Sequence, residues 1–225
     1  PVTQTDLYAL QTKTVRVQGR HKKQSGGHGQ FGDCWVQLEP MERGAGYEFV
    51  DKIVGGVIPK TYIPAVDKGI QEAAVAGPIA GFPCIDFKAI LDFGSYHSVD
   101  SSEMAFKIAG SLAFKKAAQE AGPVILEPIM EITITTPEEF MGDVMGDLNS
   151  KRGRVLGMDS KGKNQVIKAH VPLAEFQAYD PDLRSMTGGR GKFSLEFAHY
   201  EIMPTQEANK VVEAVYKDGE IKHLH

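Results

Sequence analysis

The stretch 92–107, DFGSYHSVDSSEMAFK, constrains the fold of this chain more than any other part of the sequence. Its pattern predicts a strand that ends in a tight polar loop, residues 94–99, followed at once by a helix. Asp100 and Glu103 have the spacing of a capping box, so we expect Asp100 to be the N-cap of that helix. The loop is therefore expected to be held rigidly between two regular elements.

A second polar loop is expected to lie beside the first. It is the segment 21–32, HKKQSGGHGQFG, which is too long and too rich in glycine to be a minimal hairpin turn. Basic side chains, an aromatic ring and accessible backbone amides suit an irregular, phosphate-rich RNA surface, whereas the alternative is a pair of solvated loops without a ligand. The residues that suggest this candidate RNA-binding tip are Lys22, Lys23, His28, Tyr96 and His97.

The composition is typical of a globular protein with one large or two small domains, since 42% of the 225 residues are hydrophobic and 24% are charged. No apolar run approaches the ~20 residues of a membrane span and the chain starts without a signal-like pattern, so we predict a cytoplasmic protein with no membrane partner. The net charge of −4 argues against general coating of nucleic acid, and any RNA contact is expected to be local. Cys34 and Cys84 lie in apolar runs, which predicts buried thiols.

The first half of the chain predicts a mixed α+β unit. Alternating apolar residues indicate strands, and apolar residues at helical spacing indicate two helices. In the second helix we expect Met104, Ile108, Leu112 and the neighbouring alanines to face the sheet. The predicted strands cover 12–20, 33–39, 47–50 and 85–92, and the predicted helices cover 63–74 and 101–121.

The second half predicts the order β-α-β-β-α-β, which is typical of a ferredoxin-like sandwich. Thr136 is the expected N-cap of its first helix, because Pro137 would occupy the first helical position. Phe197 is expected to point inward from the last strand. The predicted strands cover 126–134, 154–159, 165–171 and 193–197, and the predicted helices lie near 137–148, 173–183 and 205–216.

Three polar side chains of the first loop, Ser95, His97 and Asp100, could form the triad of a small hydrolase. A triad needs the base between the nucleophile and the orienting acid, together with an oxyanion hole, and three near neighbours on one loop rarely provide that geometry. Because Asp100 has a sufficient role as a helix cap, we predict no catalytic residue. The hydrolase is kept as the least favoured hypothesis.

Two further polar clusters give weaker signals. The segment 187–192, TGGRGK, lacks the spacing of a nucleotide-binding phosphate loop and precedes a strand rather than a helix. It is predicted to be a turn, with Arg190 and Lys192 as candidate phosphate contacts. The acidic residues within 138–143 are explained by the chemistry of a helix start, so no metal site is predicted.

Longer motifs are more specific than these patterns. Five segments closely resemble the C-terminal part of bacterial translation elongation factor G, and the resemblance extends over about 12–200. The segments are 24–33 (QSGGHGQFGD), 48–73, 94–111 (GSYHSVDSSEMAFKIAGS), 122–158 and 171–193.

The resemblance implies an α+β fold of two domains. Residues 12–123 resemble the fourth domain of that factor, which is ribosomal-protein-S5-domain-2-like and has a left-handed βαβ crossover, an exception to the usual right-handed rule. Residues 124–203 resemble the fifth, ferredoxin-like domain. We expect 1–11 to be a linker or cut end and 204–225 to be a C-terminal helix and tail.

The resemblance also implies a function. In the family, the tip of the fourth domain enters the decoding region of the small ribosomal subunit and holds the tRNA–mRNA duplex during translocation. The resemblance extends this RNA-binding tip to Gln24, Ser25, Gly26, Gly27, Gly29, Gln30, Ser95, Tyr96 and His97. The fifth domain contacts rRNA of the large subunit, for which Arg190 and Lys192 are candidates. GTP and Mg belong to an N-terminal domain that this chain lacks, so we expect no cofactor, no GTP hydrolysis and a monomer.

Three positions depart from the commonest family pattern, QSGGRGQYGH. His28 replaces its arginine, Phe31 its tyrosine and Asp33 its histidine. A neutral histidine in place of a permanent charge weakens a phosphate contact or makes it pH-dependent. The alternative hypothesis is therefore an elongation-factor-G-like paralogue that acts in ribosome recycling, rescue or protection.

Overall fold

The computed structural model describes residues 7–217, which form two compact units. The N-terminal unit comprises Tyr8–Ile125 together with 203–217, and the C-terminal unit comprises Leu7 and Leu126–Ile202. The domain boundaries expected from the sequence, 12–123, 124–203 and 204–225, stay predictions.

Nine strands and five α-helices follow one another within residues 7–217. The strands are β1 (Tyr8–Leu10), β2 (Val15–Lys23), β3 (Gln30–Pro40), β4 (Tyr47–Asp51), β5 (Phe87–Ser95), β6 (Val124–Pro137), β7 (Arg154–Lys161), β8 (Asn164–Pro172) and β9 (Lys192–Ile202). The helices are α1 (Ile63–Ala76), α2 (Glu103–Glu120), α3 (Met141–Ser150), α4 (Tyr179–Thr187) and α5 (Thr205–Lys217), and short 3-10 turns cover Lys60–Tyr62, Glu138–Phe140 and Leu173–Glu175. β1, with Ala9 and Leu10 buried, gives regular structure to part of the expected linker 1–11, of which residues 1–6 lie outside the described part.

A four-stranded sheet in the order β2-β3-β5-β4 is the frame of the N-terminal unit. β2 pairs with β3 and β3 with β5 in antiparallel fashion, whereas β4 is parallel to β5. Because α1 lies between β4 and β5 along the chain, these elements form a βαβ unit. The expected mixed α+β unit is confirmed, and the hand of its crossover stays a prediction.

Small residues and two phenylalanines form the buried face of α2, which confirms the predicted alanines. The prediction is wrong for Met104 and Leu112, and Ile108 is half-buried. Met104 and Leu112 are 60% and 40% exposed. A side-chain carbon added at Gly19 of β2 would overlap the carbonyl oxygen of Ala109, so the two backbones approach too closely for large side chains between them. The buried residues of α2 are Ala105, Phe106, Ala109, Gly110, Ala113, Phe114, Ala117 and Ala118.

Both predicted helix N-caps are wrong. Ser102, in extended conformation, caps α2, and its Oγ accepts a hydrogen bond of 3.1 Å from the amide of Ala105. Asp100 therefore lies before the cap. The other predicted cap, Thr136, is buried within β6, because that strand continues through Pro137 and a 3-10 turn precedes α3.

The C-terminal unit has the predicted order β6-α3-β7-β8-α4-β9, which confirms the ferredoxin-like arrangement. β6 pairs in antiparallel fashion with β8 and with β9, and β8 pairs with β7. Phe197 keeps 44% of its surface exposed, unlike the predicted inward position. The core residues on the strands and helices include Ile132, Ile134, Val144, Leu148, Ile167 and Leu183.

Two further predictions concern the cysteines and the apolar helices. Cys34 and Cys84 are free, buried thiols as predicted, and burial raises the pKa of each to about 12. Among residues 7–217, no helix is both long and apolar enough to cross a membrane.

Candidate nucleic-acid interface

The first element of the tip is the hairpin of β2 and β3. Their pairing continues to Lys23 and Gln30, so the connection is 24–29 and the predicted loop 21–32 is too long. Lys22, Lys23 and Gln30 consequently lie on strands. The turn is made by Gly26 and Gly27, whose φ angles are +58° and +140°, values that glycine adopts readily.

The exposed turn carries the next part of the predicted set. A side-chain carbon at Gly26 or Gly27 would have open space around it, and Ser25 and His28 are exposed. Gly29 is different, because a Cβ there would lie 2.7 Å from Oδ2 of Asp100. The hairpin therefore touches the second loop at Gly29.

The second element of the tip is the segment between β5 and α2. β5 continues through Ser95, and Tyr96 and His97 follow it with exposed side chains. The amide of Phe31 donates to the carbonyl of Asp100 at 2.9 Å, and Ser101 Oγ donates to the carbonyl of Phe31 at 2.9 Å. These bonds hold the two predicted loops side by side.

Asp33 ties three strands together beneath the tip. Its carboxylate accepts hydrogen bonds from Gln18 Nε2 at 2.6 Å and from Ser95 Oγ at 2.7 Å, and Asp33 is only 7% exposed. Gln18 lies on β2, Asp33 on β3 and Ser95 on β5. Since the Ser95 hydroxyl donates to Asp33 rather than to His97, the geometry opposes the hydrolase triad.

The backbone of its own loop holds the His97 ring in place. Nδ1 lies 3.3 Å from the amide of Val99 and 3.2 Å from the amide of Asp100, and the amide of His97 donates to Ser101 Oγ at 2.9 Å. Both amides are donors, so we assign Nδ1 as the acceptor of the neutral ring and Nε2 as its protonated nitrogen, with Oδ2 of Asp100 also 3.6 Å from Nδ1. The tip thus presents Nε2–H as a donor on the exposed edge of the ring.

A shallow open pocket lies between the two elements. It brings together a cation, two amides, two rings and a carboxylate, which is a set that can hydrogen-bond and stack but cannot easily perform covalent chemistry. Phe31 and His97 face each other with ring centroids 6.4 Å apart. The lining residues are Lys22, Gln24, Gln30, Phe31, His97 and Asp100.

Two family models match successive parts of the chain. The model described as elongation factor G, domain IV matches residues 8–122, and the model described as elongation factor G C-terminus matches residues 124–211. The chain belongs to the elongation factor G family. The tip described above is therefore the tip of a domain IV.

A solved structure is also similar to the chain. A crystal structure of a protein from Thermus thermophilus is 47% identical to this chain, with a TM-score of 0.78. The match covers 96% of this chain and 32% of that protein. The chain thus spans about a third of the length of its solved relative.

The predicted contacts in the elongation factor G C-terminal domain are both exposed, but one of them is already paired. Arg190 donates to Glu139 Oε1 at 2.7 Å, and its guanidinium carbon lies 4.7 Å from the ring centroid of Phe140. Lys192 is exposed at the start of β9, beside the pair formed by Arg184 and Asp180. Arg190 would have to leave Glu139 to bind a phosphate.

Sequence reasoning missed three residues at the domain IV tip. Arg20 lies over the ring of Phe31, with 5.5 Å between its guanidinium carbon and the ring centroid. The Nε2 atom of His21 is 2.8 Å from Oε1 of Gln30. Asp33 supports Ser95 from below. No apolar alternation marks Arg20 and His21, because both faces of β2 are polar beyond Gly19.

Proposed function

We propose that this chain is the ribosome-binding arm of a translational GTPase, and that its domain IV tip contacts the tRNA–mRNA duplex in the decoding region during translocation. The observation that carries the proposal is the rigid tip, in which Phe31, Asp100 and Ser101 are bonded across the two loops and His97 presents Nε2–H. Membership in the elongation factor G family supports it. The family models match domain IV and the C-terminal part, which are parts of a longer factor.

The tip would act by position rather than by chemistry. Lys22 and Lys23 are exposed cations that suit phosphate oxygens, and the donor of His97 suits a ribose 2′-hydroxyl or a phosphate oxygen. A tip that is cross-linked by hydrogen bonds resists being pushed aside by a duplex that moves backwards. Contacts of the C-terminal domain with large-subunit rRNA would hold the arm in place.

The rest of the proposal concerns the whole protein. GTP and Mg would be bound by a separate N-terminal domain, so this chain itself would need no cofactor and would catalyse no reaction. We place the protein with the ribosome in the cytoplasm, as a monomer.

A second candidate function is favoured by the departures at the tip. His28 is exposed at the turn and lacks the permanent charge of an arginine, which weakens a phosphate contact. A paralogue that binds the same ribosomal site for recycling, rescue or protection would tolerate that loss. Asp33 has a structural role between Gln18 and Ser95, so it does not distinguish the two functions.

The test is a toeprint of pre-translocation ribosomes with the full-length protein that contains this chain, together with GTP. We expect the mRNA to advance by one codon, and we expect His97→Ala to slow a single round by about tenfold, the worth of one lost hydrogen bond. The matched control is His199→Ala, because His199 lies on β9 and bonds Glu201 at 2.7 Å. An unchanged rate for His97→Ala would refute the role of that residue, and ribosome binding without mRNA advance would favour the paralogue.

A further inference from the structure

The four-stranded sheet of the N-terminal unit has a second face, opposite the buried core, and three aromatic rings lie on it. Trp35 and Phe93 are direct partners across β3 and β5, and Phe31 lies four residues before Trp35 on β3. On β3, Phe31 and Trp35 lie on the face opposite buried Cys34 and Val36, because alternate residues share a face of a sheet. On β5, the register shift places Phe93 rather than Asp92 opposite Trp35, which brings Phe93 to the same face although Leu91 is buried. Phe93 is 49% exposed, and Phe31 and Trp35 are half-buried.

Guanidinium groups from β2 lie over two of these rings. The guanidinium carbon of Arg16 is 4.6 Å from the centroid of Trp35, and that of Arg20 is 5.5 Å from the centroid of Phe31. Arg16 also donates to the carboxylate of Asp92 at 2.8, 2.9 and 3.2 Å, which fixes its plane. Rings and guanidinium groups thus form a set of planar surfaces. We call it the sheet-face ladder, and it consists of Arg16, Arg20, Phe31, Trp35 and Phe93.

The charges beside the ladder are not balanced at the end near the tip. Within residues 7–217, Arg20 and Lys22 form no ion pair, whereas the carboxylate of Asp92 is occupied by Arg16. The buried carboxylate of Asp33 is already hydrogen-bonded to neutral side chains. Two exposed cations therefore remain beside the rings, which complements a polyanion.

We propose that the sheet-face ladder binds single-stranded RNA, with unpaired bases stacked on Phe93 and Trp35 and phosphates near Arg20 and Lys22. Aromatic rings and arginine planes stack on any base, and sheet faces that carry aromatic residues are a recurrent platform for single strands. A protein partner would have to supply acids for both cations, so the charges favour RNA. The ladder is a different surface from the tip, and only Phe31 belongs to both, so the inference goes beyond the proposed function.

Trp35 provides a direct test, because it is the only tryptophan in the 225-residue chain. The chain is titrated at low salt with a single-stranded RNA of about 12 nucleotides that cannot pair with itself, and the fluorescence of Trp35 is followed. We expect saturable quenching, since a stacked base quenches indole emission. Phe93→Leu, which keeps an apolar side chain but removes the ring, is expected to weaken binding about tenfold, within the range known for base–aromatic stacking.

Two further variants separate the ladder from other surfaces. Arg20→Gln is expected to weaken binding and to flatten its salt dependence, whereas Phe197→Leu, which removes an exposed ring on β9, is expected to change neither. Thermal melts followed by circular dichroism check that each variant is folded. A duplex of the same sequence is expected to quench weakly, because its bases are already paired.

The opposite results would overturn the inference. One such result is that RNA does not quench Trp35 at all. Another is that Phe93→Leu and Arg20→Gln bind RNA as tightly as the unsubstituted chain. A third is that only His97→Ala loses the quenching, which would place the RNA at the tip. Binding of a protein instead of RNA would also overturn it. None of these results bears on whether the mRNA advances in the toeprint assay, so each proposal can be refuted without the other.

Discussion

Replacing Asp33 with alanine removes the one carboxylate that joins β2, β3 and β5 beneath the tip. The substitution takes away hydrogen bonds of 2.6 and 2.7 Å and leaves Gln18 Nε2 and Ser95 Oγ without that acceptor. Hydrogen bonds to a charged group contribute about 1.5–3 kcal/mol each to stability. Burying the carboxylate opposes this gain, because a charged group with 7% exposure has lost most of its hydration.

The net loss is expected to be about 2–3 kcal/mol in the free energy of unfolding of the N-terminal unit. This net loss is close to the contribution of one hydrogen bond to a charged group rather than two. Gln18 and Ser95 are half-buried, so water can partly replace Asp33 as their hydrogen-bond acceptor. Ser95→Ala should cost about 1 kcal/mol, the contribution of a single hydrogen bond. In the Asp33→Ala background the same change should cost much less, since the two residues share that bond.

Urea unfolding followed by Trp35 fluorescence measures this effect, because Trp35 lies two residues from Asp33 on the same strand. The Trp35 fluorescence reports the unfolding of the N-terminal unit alone, so the unfolding of the C-terminal unit does not have to be assumed to coincide with it. Asp92→Ala is the matched control, since it also removes a hydrogen-bonded carboxylate but one that is partly exposed, and it should cost at most about 1 kcal/mol. Equal losses for Asp33→Ala and Asp92→Ala would refute the role of the buried acceptor.

Two further predictions concern packing and burial. Gly19→Ala should destabilise the N-terminal unit by about 3 kcal/mol or more, because the new Cβ would overlap the carbonyl oxygen of Ala109. Gly146→Ala, at an open position of α3, should instead stabilise the C-terminal unit by up to about 1 kcal/mol. Urea melts that show equal effects of the two substitutions would contradict the packing argument. Cys34 and Cys84 should react with a thiol reagent only after unfolding, and fast labelling of the native chain at pH 8 would contradict their burial. Because burial raises the pKa of each thiol from 9.0 to about 12, the free energy of unfolding should fall as the pH rises between these values.

Periodicity was sufficient for much of the fold. The order of strands and helices in the C-terminal unit followed from alternation and helical spacing, because β6 alternates apolar and polar residues and α3 buries Val144 and Leu148 one turn apart. The same reasoning failed on α2. It assigned the buried face to large residues such as Met104, whereas the helix packs on Gly19 and Gly32 through alanines, and a pattern of large apolar side chains cannot detect such close approach.

The candidate site was harder to predict, for two physical reasons. At the tip both faces of β2 are polar, so alternation of apolar residues gives no sign that the strand continues to Lys23, and the predicted loop was too long. The N-cap was misplaced because Asp100, Ser101 and Ser102 are all good capping residues, and only the extended backbone of Ser102 decides between them. The bond between Asp33 and Ser95 joins residues 62 positions apart, which no local pattern encodes.

The bonding of His97 has a consequence for what a tip of this kind can discriminate. A ring whose inner nitrogen is committed to the amides of Val99 and Asp100 has a single donor left for any ligand. Ribose hydroxyls and phosphate oxygens accept such a donor in every nucleotide, whatever the base. If the tip contacts the tRNA–mRNA duplex as proposed, a donor placed on a ribose or a phosphate would bind in the same way at every codon.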